Sequence, residues 1–470
     1  MPDIRYVCLS DMHLGADSSV LTAIKPNSIE IDPLTTSPVL SQLVACLKEL
    51  IGHNEHTEKP ILVLNGDILE LGLTDTNKAA MVFERFINLV FPPDGEALFD
   101  KNIIYNPGNH DHHIWESARD TQYIHYISGI PAGQELPVPW HTTKMFAPDF
   151  VPEYLTTRLL CRHPHLQDVV VNVIYPNYAL VSDDGQKCVI FSHGHYVESI
   201  YSLMSTLNTM LFPDRIRPKV IWDLEAENFA WLDFLWSTLG RSGDVGLDIG
   251  LLYAKLQSKL HFERLLDNFV ASLIATRNQP KLIKGAEAGG LKLLLDLILG
   301  RRFALERNRT EQPLSPDALQ GLHSYLEGPL REQVLIENKQ KFPKDITFLF
   351  GHTHKPFQLP MEFTGYPATI DVYNSGGWVV DKVQPMPVFG GAALLVDETL
   401  QTVSLRMYNQ SPNKEDYAVS VEVASSSDNS FYDRVKAFVN PSSDPWKTFS
   451  ALVADAVSLR AQVLQAKIDF

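Results

Sequence analysis

Ile103-Ile104-Tyr105-Asn106-Pro107-Gly108-Asn109-His110-Asp111 is an apolar, β-type run that stops on an amide, an imidazole and a carboxylate. The same arrangement recurs toward the N-terminus. Ile61–Leu64 stops on Asn65-Gly66-Asp67, and Ile4–Leu9 stops on Ser10-Asp11-Met12-His13. Between these runs, Val39–Ile51 and Ala79–Val90 carry apolar residues at helical spacing. Strand, helix, strand, helix, strand predicts an α/β architecture. Polar residues just past the carboxyl ends of such strands are where open α/β sheets place ligands.

Toward the C-terminus the pattern changes. Pro131–Pro152 is proline-rich and predicts a long irregular loop. Val169–Tyr175, Tyr178–Val181 and Cys188–Phe191 read as strands, with Asp183-Asp184-Gly185 as the turn between the last two, and the third ends on Ser192-His193-Gly194-His195. Residues 197–341 are mostly helical in pattern, broken at prolines and glycines. Strands return at Ile346–Phe350, followed by Gly351-His352-Thr353-His354, then at Thr369–Tyr373, Ala392–Val396 and Thr402–Met407. Ser425–Ser430 reads as a polar linker and Trp446–Ile468 as a terminal helix. The expected organisation is a core in two parts, 1–196 and 342–410, with a helical insertion at 197–341 and a C-terminal extension at 411–470.

Composition narrows the function classes. The 470 residues are 45% hydrophobic and 20% charged, so the chain can build a large core rather than remain disordered. A net charge of −16 excludes a protein that coats nucleic acid, which needs a basic surface to displace counterions. Cys8, Cys46, Cys161 and Cys188 have no paired spacing, which points away from a disulfide scaffold and toward a reducing, cytoplasmic setting. No apolar run reaches membrane-spanning length, and the N-terminus carries no basic and apolar signal pattern.

Five strand ends therefore deliver Asp11 and His13, Asp67, Asn109 and His110, His193, and His352 and His354. A single such histidine reads as an ordinary core or loop residue. Five coincident sites on one sheet edge would repel or stay undersatisfied unless they surround metal ions. Mixed carboxylate, amide and imidazole donors suit Mn²⁺, Fe or Zn²⁺. Even without His110, seven donors exceed one ion's needs, and two ions sharing a carboxylate can generate hydroxide and clamp an in-line displacement at phosphorus.

The series Asp-x-His, Gly-Asp, Gly-Asn-His-Asp, His and Gly-His-Thr-His resembles the calcineurin-like metallophosphoesterase superfamily. Tyr373-Asn374-Ser375-Gly376-Gly377-Trp378 is similar to that family's glycine-rich loop after the last metal motif. The resemblance implies a four-layer αββα sandwich of two mixed sheets, with the helical segment as an inserted cap. It implies that Asp11, His13 and His354 bind a first metal, Asn109, His193 and His352 a second, and that Asp67 bridges both. It also implies that His110 faces the substrate and assists the leaving oxygen, with Asp111 orienting His110. The implied reaction is hydrolysis of a phosphoester or pyrophosphate by in-line attack of a metal-bridging hydroxide. A phosphoesterase-like scaffold without catalysis would show lost ligands, and none is lost.

Other residues remain open between functional and ordinary readings. His195 reads equally as a substrate contact or as a residue behind the ligands. Glu70 reads as a brace for the Asp67 loop or a helix-start acid. His112 and His113 read as helix caps, and His163 and His165 as loop residues. Trp222, Phe229, Trp231, Leu232, Phe234, Leu235 and Trp236 read as helical core or as an apolar wall over the metals. Arg277–Arg309 holds eight basic and three acidic residues, so Gly289–Phe303 reads as a packed helix or as a face for anionic lipid. Gly66-Asp67-Ile68-Leu69-Glu70-Leu71 and the helices after His193 are similar to the UDP-2,3-diacylglucosamine hydrolase branch. That branch has Arg where this chain has His110, and a shorter insertion, so it is a neighbour. The expected partners are a small phosphoester or a lipid-linked phosphate, with no stable nucleic-acid partner.

Overall fold

The computed structural model describes residues 2–146, 148, 150–212, 214–233, 312–425 and 429–469. Phe234, Leu235, Trp236 and the basic stretch Arg277–Arg309 lie outside the described residues. In chain order the strands are β1 (Ile4–Leu9), β2 (Thr22–Ile24), β3 (Ile31–Thr36), β4 (Ile61–Leu64), β5 (Asn102–Tyr105), β6 (Val151–Pro152), β7 (Val170–Val173), β8 (Asn177–Val181), β9 (Lys187–Ser192), β10 (Asp345–Phe350), β11 (Phe357–Met361), β12 (Ile370–Asn374), β13 (Gly390–Asp397), β14 (Thr402–Asn409) and β15 (Ser420–Glu422).

Eight of them form one sheet in the order β15-β14-β13-β1-β4-β5-β7-β6, and five form a second in the order β11-β12-β10-β9-β8. In the first sheet β1, β4, β5 and β7 run parallel, flanked by antiparallel β13 and β6. In the second, β9, β10 and β12 run parallel, flanked by antiparallel β8 and β11. Both sheets are mixed, as expected. The β2–β3 ribbon, β11 and β15 carry no clear sequence pattern. Pro33 interrupts β3, while Pro360 sits in β11 at a sheet edge, where a missing N–H is tolerated.

Side-chain alternation sorts the layers. Cys8, Val63, Ile104 and Leu394 from the first sheet share one buried cluster with Val189, Phe191, Leu349 and Tyr373 from the second, so the sheets pack face to face. The alternate residues Val7, Leu9, Leu62 and Leu64 face the helices Pro38–Ile51 and Thr76–Val90. Pro at the first helical position and the buried series Val39, Leu40, Leu43, Val44, Leu47, Leu50 and Ile51 explain the first of these helices. On the second sheet Ile190, Phe348 and Phe350 face the helices Leu203–Leu211, Ile221–Leu232, Pro316–Tyr325 and Arg331–Glu337 through Leu203, Leu224, Leu322 and Val334. The result is the αββα sandwich. Both described ends of the expected insertion serve as its outer layer, covering an apolar sheet face.

The helix Trp446–Asp469 packs on the core rather than standing apart. Trp446, Phe449, Val453 and Val457 join the cluster around Pro38–Ile51, and Arg460 Nε donates to the Ser19 carbonyl at 2.9 Å. Among the described residues no helix is long and apolar enough to cross a membrane.

Candidate metal centre

The predicted ligands sit where strands end and the backbone turns sharply. Asp11 (φ 51°), His13 (44°), Asp67 (52°), His352 (68°) and His354 (59°) all adopt left-handed conformations. Such backbone costs about 1–3 kcal/mol per non-glycine residue and persists where the surroundings over-determine it. Here the loops hold one another. Asp11 N donates to Gly66 O and His13 N to Asp67 O, both at 2.9 Å, while His352 N donates to Asp11 Oδ1 at 2.9 Å. Close approach requires glycine at two points. A Cβ on Gly66 would lie 2.4 Å from the His193 ring, and one on Gly351 would lie 2.0 Å from Asp11 Oδ2.

The structure brings all seven expected ligands and His110 into one buried locus, each at most 2% exposed. Asp11, His13 and His354 form one donor cluster, and Asp67, His193 and His352 another; within each, the donor atoms lie within 4.8 Å of one another. Asn109 Oδ1 joins the second cluster, 3.0 Å from His193 Nε2. Asp67 Oδ2 stands between the clusters, 3.3 Å from His193 Nε2 and 3.8 Å from His13 Nε2. This oxygen is buried without a hydrogen-bond partner. An orphaned carboxylate oxygen in a dry site is costly, and a cation satisfies it. The donor set fits divalent ions that accept oxygen and nitrogen together.

Electrostatics support the same assignment. Burial opposes charge on Asp67, yet the imidazoles of His193, His110 and His13 hold its carboxyl well below the usual range. Asp11 is likewise lowered against burial, by His354 and His193. Burial would depress His193, but Asp67 and Asp11 push it up to about 9.

Behind the ligands lies a row of carboxylates. Glu70 Oε2 lies 2.8 Å from His13 Nδ1, Asp381 Oδ2 2.6 Å from His354 Nδ1, and Glu198 Oε1 2.9 Å from His352 Nε2. His193 Nδ1 instead meets the Asn65 carbonyl at 3.4 Å. Glu198 and Asp381 were not singled out from the sequence, because nothing in their local pattern ties them to a distant imidazole. Glu70, three residues past Asp67, carried a local signal, and the structure gives it the histidines His13 and His110.

Asp111 requires a correction. It does not orient His110. Its oxygens accept from the backbone N–H groups of Gly108 (2.6 Å), Ile68 (2.8 Å) and Asp67 (3.2 Å), and from Tyr105 Oη (2.5 Å). Those donors saturate the carboxylate, which ties the Asn109 loop to the Asp67 loop. Glu70 Oε1 takes the place at His110 Nδ1, at 2.8 Å.

The neighbouring residues also find places. His195 packs against Tyr175, Tyr196 and Tyr201, with its ring 5.8 Å from that of His193, and burial holds it neutral. His112 opens the helix His112–Ser128, for which Asp111 is the N-cap residue; it is buried between Tyr175 and Phe229, and its pKa falls to about 3. His113 pairs with Glu116, His163 lies 3.3 Å from Glu84, and His165 meets the Phe91 carbonyl. Trp222 packs on His141, Arg119 lies over Phe229, and Trp231 Nε1 donates to Ile200 O. These insertion aromatics are packing residues of the outer layer.

Comparison with known proteins agrees with the geometry. No curated protein matches the chain. The calcineurin-like phosphoesterase sequence model matches residues 4–222, from β1 to the start of the helix Ile221–Leu232. His352 and His354 lie beyond that match, and the fold returns them to the same site through β10. Over residues 4–222 the chain is thus similar to the calcineurin-like phosphoesterases, metal-dependent hydrolases of phosphoric esters.

Proposed function

We propose that the chain hydrolyses a small, polar phosphoester at a centre of two divalent ions, Mn²⁺, Fe or Zn²⁺. The observation that carries this reading is Asp67 Oδ2, buried between two donor clusters, 3.3 Å from His193 Nε2 and 3.8 Å from His13 Nε2. Asp11, His13 and His354 would hold one ion, Asn109, His193 and His352 the other, and Asp67 both. Bound there, the ions supply a hydroxide nucleophile and neutralise charge developing at phosphorus.

The protein's own groups do the rest. Burial excludes bulk water and strengthens each electrostatic contact. His110 is placed against Asp67 by its backbone N–H, which donates to Asp67 Oδ1 at 2.7 Å, and its Nε2 delivers the proton that the leaving oxygen needs. Glu198, Glu70 and Asp381 fix the rings of His352, His13 and His354, as partners of metal-bound imidazoles do.

A cavity of about 570 Å³ reaches Glu198 and is lined by polar groups together with the apolar Val197, Pro218, Leu224, Ala318 and Pro329. Glu198, Ser199, Ser202, Arg217 and Ser324 line it, and Glu198 also touches His352. Hydroxyls and a guanidinium suit a hydroxylated or anionic leaving group. All four thiols are free, which supports a cytoplasmic setting.

The test is metal analysis followed by a panel of phosphomonoesters, phosphodiesters and nucleotide pyrophosphates. Roughly two ions per chain and turnover that a chelator abolishes are expected. Less than about one ion per chain after loading overturns the two-metal reading. Preference for long-chain lipid pyrophosphates over soluble esters overturns the substrate class.

A further inference from the structure

The cavity that reaches Glu198 has cross-linked walls. One is the stretch after His193, residues 196–205, and another is the helix Pro316–Tyr325. The two meet at backbone distance: a Cβ on Gly321 would lie 1.9 Å from the Val197 carbonyl oxygen. Asn228, fully buried on the helix Ile221–Leu232, ties down the residues between them. Its Oδ1 accepts from Met204 N at 3.0 Å, and its Nδ2 donates to Ser205 Oγ at 2.8 Å. These bonds hold the shape of the cavity, whose 570 Å³ falls among small-molecule sites, roughly 300–1,000 Å³.

The cavity begins beside the second donor cluster. Glu198 lines it and lies 2.9 Å from His352 Nε2, and Tyr196 lines it and packs on His195 with ring centroids 4.4 Å apart. A group joined to phosphorus at the metal centre has this space to extend into.

The lining narrows what that group is. Five serines contribute to it, and a hydroxyl both donates and accepts, so it matches other hydroxyls. Among the described lining residues two carboxylates, Glu198 and Asp317, stand against one cation, Arg217, whose Nη2 donates to Thr206 Oγ1 at 3.2 Å. A second phosphate is held by several cationic donors or by an open helix N-terminus. The N-terminus of the helix Pro316–Tyr325 is already taken: Ser315 Oγ caps the Ala318 N–H, and Asp317 sits in the first turn. An acyl chain needs a continuous apolar wall, whereas here Val197, Leu224 and Ala318 are interspersed with serines. A sugar or cyclitol ring, with apolar C–H faces and hydroxyl edges, matches that mixture.

We propose that this cavity is the leaving-group subsite, and that it takes a neutral polyol ring joined to phosphorus through one of its oxygens, in preference to a second phosphate. The inference rests on the phosphoester reading above and commits it to one substrate class. Water's oxygen bonds to phosphorus, the bond between phosphorus and the polyol oxygen breaks, and that oxygen leaves with a proton as an alcohol.

Two measurements test this. The first needs neither metal nor turnover. Saturation-transfer NMR of the metal-free wild-type protein with myo-inositol or D-glucose is expected to show transfer to the ring protons. Ser324→Leu, at an exposed position of the helix Pro316–Tyr325, and Ser202→Leu each fill the cavity and are expected to abolish it. No transfer to either ring in wild type overturns the proposal, as does transfer that survives in both variants. The second uses metal-loaded protein and compares kcat/KM for inositol and hexose phosphates with kcat/KM for inorganic pyrophosphate. A ratio above about tenfold is expected in wild type, falling by about tenfold in S324L. A wild-type ratio at or below one overturns the proposal, while the turnover itself upholds the phosphoester reading. Loaded protein that hydrolyses neither kind of substrate overturns that reading, and the leaving-group assignment with it.

Discussion

Asp381 Oδ2 accepts a 2.6 Å hydrogen bond from Nδ1 of His354 and leaves the opposite nitrogen, Nε2, turned toward Asp11 Oδ1 at 3.5 Å. A carboxylate behind a ligating imidazole fixes its tautomer and makes the far nitrogen a better donor. Asp381→Asn keeps the shape and removes the charge. The expected result is a fall of about 10–100-fold in divalent-metal affinity, with a parallel loss of activity at limiting metal that excess metal partly restores. Titration calorimetry on the metal-free protein measures the first effect, and a metal-dependence curve of rate measures the second. Wild-type affinity in the variant would remove Asp381 from the centre.

Metal uptake should release a proton. In the metal-free fold Asp67 and Asp11 outweigh the burial of His193 and hold it protonated up to about 9. Coordination requires the lone pair that this proton occupies. Below about pH 9, apparent metal affinity should therefore rise with pH, by up to about tenfold per unit from this group. Calorimetry at pH 7.5 in two buffers of different ionisation heat should show about one proton released through His193. Affinity that is flat between pH 6.5 and 8.5 would place His193 outside the metal shell.

Strand ends and candidate ligands were legible because one rule governs both. A buried parallel strand is a continuous apolar run, and a side chain needed at its end must be polar, so the boundary marks the site. That rule located Asp11, His13, Asp67, Asn109, His193, His352 and His354, which the fold does bring together. Partners reached across the fold leave no such mark: nothing around Glu198 or Asp381 points to His352 or His354. The resemblance implied that Asp111 orients His110, whereas its oxygens are taken by backbone amides and Tyr105. The described helices at 203–232 and 316–337 show why a helical pattern does not name what it covers: a helix that buries one face has the same pattern whether that face meets a ligand or a sheet. Here it covers β9, β10 and β12.

Glu225 gives the outer layer a pH-dependent stability. Its carboxyl lies fully buried on the helix Ile221–Leu232 near Tyr175 and Tyr196, and burial pushes its pKa up to about 8. The unfolded chain releases that proton near 4.5, the ordinary value. Between these limits the folded state binds the extra proton, so stability falls as pH rises. The slope from this group is at most about 1.4 kcal/mol per pH unit. Urea melts of the metal-free protein from pH 5 to pH 8 should show wild type losing stability relative to Glu225→Gln across this window. Parallel curves for the two proteins would mean that Glu225 is ionised in the fold.

Asp111→Asn should damage the scaffold rather than the proton transfer. The native carboxylate accepts from Gly108, Ile68 and Asp67 N–H groups and from Tyr105 Oη. An amide presents a donor to at least one of these donors, which leaves buried N–H groups unsatisfied at a cost of about 1–3 kcal/mol. The midpoint of urea unfolding should fall accordingly. Because Glu70 holds the His110 ring, the dependence of rate on leaving-group basicity should match wild type even where the rate itself is lower. A steeper dependence in Asp111→Asn would restore the direct link between Asp111 and His110 that the hydrogen-bond pattern argues against.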